Sequence, residues 1–181
     1  RQGKGTFLNK VSADSLLATQ DTLYKFLELD RSEIQDVMEV RKLLEVEIVR
    51  RVAQNASDDD IGELRRAYAR HREAKGSRLT YERDQDFHMV LAQLSGNSIL
   101  PITLKLIRSF LDRYSSVIVS TLDTAEYSER ILEQHRQILV AVEARDAEQA
   151  AQAMLRHLNT SQFTILASFD IFVEKRRLQL D

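Results

Sequence analysis

One proline and five glycines in 181 residues leave almost nothing to interrupt a helix. The rest is written mainly in Leu, Ala, Glu, Arg and Gln, which lose little on entering one. An all-α fold follows.

Apolar spacing and stop signals divide the chain into about six or seven helices. The first is expected over residues 12–29. The second opens at Ser32, with Gln35 completing a capping-box pattern, and runs to residue 54. A third starts in the "SDDD" cluster, residues 57–60, whose acids suit a helix N-terminus, and ends before Gly76. The fourth covers residues 80–94 and stops at Ser95, Gly96 and Asn97. The fifth holds Pro101 in its first turn and extends to residue 120, and the last two cover 125–144 and 147–175. No repeat or long linker divides them, so residues 11–181 are expected to form one antiparallel helical bundle.

Residues 1–10, "RQGKGTFLNK", break the pattern: turn glycines precede a short apolar-aromatic run that reads as the far side of a hairpin entering a strand. A lone strand needs partners, which this reading puts upstream of Arg1; on its own the segment reads rather as a frayed terminus.

Charge and composition exclude several classes. With 26 basic and 28 acidic side chains the formal charge is -2, so the chain as a whole is not an electrostatic nucleic-acid binder. There is no cysteine, which removes disulfides and thiolate metal sites and leaves His, Asp and Glu as metal donors. No apolar run approaches the roughly 18 residues of a membrane span, and nothing resembles a signal peptide. A cytoplasmic protein without a membrane partner is expected.

The four histidines separate by context. His71, in "RRAYARHREAK", lies on a segment polar nearly all round and reads as a solvated surface residue. His88 sits beside the stripe Phe87, Val90, Leu91 and Leu94, with Asp84 one turn before it on the same face. An inward carboxylate is costly unless paired or bound to a cation. His135 falls on the face traced by Ile131, Ile138, Leu139 and Val142, and His157 follows Met154 by three positions. Singly, each reads as a hydrogen-bonded core residue. Together they offer three nitrogens and an oxygen from three helices, a set that suits zinc first, and nickel, manganese or iron after it. Spacing alone leaves open whether the three helices converge.

The ordered segments "EVRKLLE" (39–45), "DQDFHMVLAQLSGN" (84–97), "EQHRQILVAVEARDAEQA" (133–150) and "AMLRHL" (153–158) resemble the effector-binding C-terminal domain of GntR-type bacterial transcription regulators of the FadR subfamily, the FCD domain. The resemblance covers residues 32–165. It implies that Asp84, His88, His135 and His157 are metal ligands of the metal-dependent branch, and that Arg41 and Asn97 face the effector. Read alone, Arg41 serves equally as a surface partner of Glu45, and Asn97 as a helix C-cap beside Gly96. The resemblance also makes "GKGTFL" the last strand of the wing of a winged helix-turn-helix domain, with Gln2 and Lys4 as its DNA-proximal remnant. Operator DNA would then be read by a domain mostly outside this chain, in a homodimer acting as a repressor, with a small organic or sugar acid as effector.

A rival reading is a metal-dependent hydrolase or other small helical metalloenzyme, since an open metal with these donors can activate water. Against it, the sequence offers no inward base beside the ligands. Glu133 lies two residues from His135, and Asp86 two from His88, so both point elsewhere. The paired Glu-x-x-His motif of di-metal bundles is absent.

Overall fold

The computed structural model describes residues 30–77, 79–112 and 125–177. The expected first helix, the wing strand with Gln2 and Lys4, and the end of the fifth helix lie outside the described residues. Among those described are six helices and no strand: α1 (Arg31–Asn55), α2 (Asp58–Glu73), α3 (Thr80–Leu94), α4 (Ile99–Asp112), α5 (Ala125–Glu143) and α6 (Ala147–Arg177). None is long and apolar enough to cross a membrane.

Local chemistry sets the helix ends. The start of α1 corrects the sequence reading, because Asp30, not Ser32, is the cap. Its carboxylate accepts from Ser32 N at 2.7 Å and Glu33 N at 2.9 Å, while Glu33 accepts from Asp30 N at 2.7 Å. A carboxylate satisfies two orphan donors and meets the positive helix end with a full charge, which a serine hydroxyl does not. Helix α2 begins in the expected cluster, where Ser57 and Asp60 cap it reciprocally, at 3.2 and 2.8 Å. Helix α3 coincides with the expected 80–94 and ends where Gly96 takes φ 73°, a left-handed conformation cheap only for glycine.

Side-chain pairs fix the packing directions. Arg31 meets Asp170 at 3.2 Å near one end of α1, and Arg50 meets Glu148 at 3.2 Å near the other, so α1 and α6 run antiparallel. Tyr81 and Asp112, with Arg108 and the carbonyl of Gln85, do the same for α3 and α4. Helix α5 packs along α6, and α2 lies against α3 and α5.

The interior is layered. At one end a large apolar cluster joins Ile48, Val52, Leu64, Phe87, Ile138 and Met154. At the other, a small one joins Ile34, Met38, Leu111, Ile165 and Leu166. Between them on α1 the same inward stripe carries Arg41 and Glu45, 3% and 1% exposed. The polar side chains Asp84 and His88 of α3, His135 of α5, and His157 and Ser161 of α6 occupy the corresponding level. A polar layer thus crosses the bundle, where burial tolerates such groups only if they satisfy one another or a ligand.

Candidate metal centre

Helix periodicity delivers the donors. On α3, Asp84 and His88 are one turn apart and face the same way, while His135 and His157 project from the middles of α5 and α6. Asp84, His88, His135 and His157 each offer a donor atom, and all four atoms lie within 4.8 Å of one another. His88 Nε2 is 3.0 Å from His157 Nε2, His135 Nε2 is 3.4 Å from His157 Nε2, and Asp84 Oδ1 is 3.5 Å from His135 Nε2. All three imidazoles are 0–1% exposed.

The far side of each ring explains why Nε2 faces the centre. His88 Nδ1 bonds Glu45 Oε2, a carboxylate oxygen that only accepts, so Nδ1 carries the proton. His157 Nδ1 lies 3.3 Å from Gln134 Oε1, and His135 Nδ1 lies 3.0 Å from His71 Nδ1. With His88 and His157 donating from Nδ1, and His135 doing so in the tautomer in which His71 accepts, each neutral ring is left with its Nε2 lone pair pointing at the other two. Converging lone pairs repel unless a cation or a proton sits among them. Two nitrogens about 2.1 Å from one ion, at right angles or at the tetrahedral angle, lie roughly 3.0–3.4 Å apart, which is the spacing present here. The donor set and its outer partners fit a divalent metal.

Two of these outer partners depart from the sequence reading. His71 is not a solvated surface residue: it is 1% exposed and touches His135. The inward stripe Ile61, Leu64, Ala67 and His71 carries it inside, but the alanine and the arginines around it mute that signal. Glu45, read from sequence only as a possible surface partner of Arg41, lies inside, bonded to Arg41 Nε at 2.5 Å and to His88. The expected i, i+4 pair forms, but in the interior. Asp86 and Glu133 turn away as expected, to Arg83 at 2.6 Å and Arg136 at 2.7 Å.

Electrostatics follows from burial and neighbours. Burial pushes the Glu45 carboxyl up, but Arg41 and His88 outweigh it and hold the group well below the usual carboxylate range. Burial acts likewise on Asp84, where His88, His71 and His157 prevail and keep it lowered. For His135 and His157 burial and neighbouring imidazoles act together, taking His135 far down and His157 to about 3.

A cavity opens beside the centre, lined among others by Arg41, His71, Asp84, Gln85, Arg108 and Tyr127. Arg41 therefore faces the space next to Asp84. Asn97 does not line it: its carboxamide oxygen accepts from Ile99 N at 2.9 Å and its carbonyl from Leu100 N at 3.2 Å, at the start of α4. In this structure the asparagine serves the start of α4.

Comparison with known proteins agrees with this architecture. The chain is 26% identical over 181 residues to the HTH-type transcriptional regulator LutR of Bacillus subtilis, covering 94% of this chain and 78% of that one. It is 26% identical to the Uxu operon regulator of Haemophilus influenzae, over 80% of this chain and 58% of that one. The HTH-type transcriptional repressor NanR of Escherichia coli is 27% identical, over 90% and 62%. A solved structure titled Streptococcus agalactiae GntR superposes with a TM-score of 0.63 at 28% identity, covering 91% of this chain and 73% of that chain. Relatives of this kind mark a regulatory domain, not an enzyme. Residues 36–160, most of the bundle, match the FCD domain, and the chain belongs to that family.

Proposed function

We propose that this chain is the effector-sensing part of a cytoplasmic, DNA-binding transcription repressor, and that it binds a divalent metal and a small carboxylate together. The observation that carries the reading is the convergence of three imidazole Nε2 atoms and the Asp84 carboxylate, each ring held from behind by a polar side chain. A bound divalent ion, zinc first among the candidates, supplies a Lewis-acidic anchor for the effector carboxylate. Arg41, 3% exposed with its Nη2 unpartnered, stands ready to donate to that carboxylate. Because the donors come from α3, α5 and α6 and Arg41 from α1, occupancy joins four helices. Regulation follows if the effector prefers one arrangement of a homodimer over the DNA-competent one.

The test is metal content by plasma mass spectrometry on tag-free protein and on His135→Ala. About one metal per chain, lost in the variant, is the expected result. Absence of metal after incubation with zinc, nickel and manganese would remove the metal from this reading. If metal-loaded protein shows no thermal shift with any organic or sugar acid, the sensor role fails instead.

His71 acts on the same centre through His135. Replacing it with Ala is expected to weaken metal binding about 10- to 100-fold while helical content is unchanged. Competition against a chelating dye measures this, and an unchanged affinity would reduce His71 to packing.

A further inference from the structure

The cavity holds a second guanidinium. Arg108 projects inward from α4 with Leu104, Ile107 and Leu111 and is 7% exposed. Its Nη1 donates to the Gln85 carbonyl at 2.8 Å, and no carboxylate among the described residues pairs with it. Asp112, one turn on, accepts instead from the Tyr81 hydroxyl at 3.1 Å. A buried cation without a counter-ion is among the costliest arrangements in a protein interior, and proteins that keep one have a use for it.

The other charges at this level are spoken for. Arg41 is offset by Glu45, to which it bonds, and Glu45 also holds His88. Asp84 belongs to the metal centre. A divalent ion there, less Asp84, leaves one positive charge; Arg108 adds a second, and Arg41 with Glu45 adds none. Burial, and after it the nearby Arg41, lowers the Arg108 pKa against the opposing pull of Glu45, Tyr81 and Asp84, none of which is in direct contact with its guanidinium. One carboxylate at the metal leaves the Arg108 charge uncompensated. A guanidinium has five N–H donors in a planar fork, and the Gln85 carbonyl uses only one edge.

Resting on the sensor reading above, we infer that the effector is a small dicarboxylate, one carboxylate at the metal and Arg41, the second received by Arg108. Arg108 is then the residue that separates diacids from monoacids. A monoacid of the same length would put a methyl group against an unpaired guanidinium, a mismatch that sites built for a polar partner reject strongly.

The experiment compares matched acids on the metal-loaded chain by calorimetry: malate against 3-hydroxybutyrate, succinate against butyrate, and glutarate against valerate. The diacid that fits is expected to bind at least about 10-fold tighter than its monoacid, and Arg108→Gln is expected to weaken the diacid about 10- to 100-fold while moving the monoacid by less than about 3-fold. Metal content and helical content of the variant serve as controls, and Arg108→Lys, which keeps the charge, should retain part of the preference. Equal binding of mono- and diacids by the unaltered protein overturns the inference, whether or not Arg108→Gln folds. Equal weakening of both acids in the variant overturns it too. If no acid of any pair binds while metal is bound, the carboxylate-sensor reading falls, and this inference falls with it.

Discussion

Glu45→Ala is expected to cost about 3–5 kcal/mol of folding stability, the range found when one partner of a buried ion pair is removed. The carboxylate is 1% exposed and accepts from both Arg41 and His88, so its loss leaves a buried guanidinium with no counter-charge and His88 Nδ1 with no acceptor. Arg41 already has one unpartnered nitrogen, and the change would strip it of its ion pair. Glu45→Gln, which keeps an acceptor but not the charge, should fall between the variant and the parent. Denaturant midpoints at pH 7.5 measure the effect, and for a chain this size the loss corresponds to roughly 10 °C in Tm. A Glu45→Ala variant within about 1 kcal/mol of the parent would mean that the pair is solvated and the polar layer open to water.

Acid should unfold the metal-stripped protein well above the range where carboxylates titrate. Burial is the largest cause lowering His71, His135 and His157, and His157 reaches about 3. In the unfolded chain each returns to about 6.5. Between the two values the unfolded state binds more protons than the folded one, so stability rises with pH there. Its full value is present above about pH 6.5 and is lost on acidification, at up to about 1.4 kcal/mol per pH unit for each histidine. Asp84 and Glu45, lowered in the folded state, extend the loss below about pH 4, where the unfolded carboxylates begin to protonate. Urea midpoints at pH 7.5, 6.5 and 5.5 on chelator-treated protein test this. A flat profile over that range would show that water reaches the rings.

The sequence displays the candidate metal donors because periodicity does the work: His88, His135 and His157 each interrupt a recognisable apolar stripe, and Asp84 stands one turn from the first of them. The helix boundaries of α2, α3, α5 and α6 are legible for a similar reason, since acids and glycines punctuate an otherwise unbroken pattern. What escapes is the layer behind the donors. Arg41 and Glu45 look like any surface i, i+4 pair until Ile34, Met38, Ile48 and Val52 are seen to share their face. His71 is carried inward by Leu64 and Ala67 among arginines, and Arg108 by Leu104 and Leu111. Charged residues at inward positions imitate solvated ones, because spacing reports direction while burial is decided by which helices cover that direction. Asn97 is the opposite case, since its polar atoms serve the backbone at the start of α4, a use that neither of its sequence readings, pocket residue or C-cap, named.

The polar layer leaves the bundle with two apolar ends of unequal size. The larger end can rest on its own burial, with contributions from every helix. The smaller, around Ile34, Met38, Leu111 and Ile165, has the layer as its floor and the first turns of α1 as its wall. A change in how tightly Asp84 and the histidines are drawn together therefore reaches that end as a change in footing. The site works as a keystone set one course below the weaker storey, and α1 is the beam that runs through both.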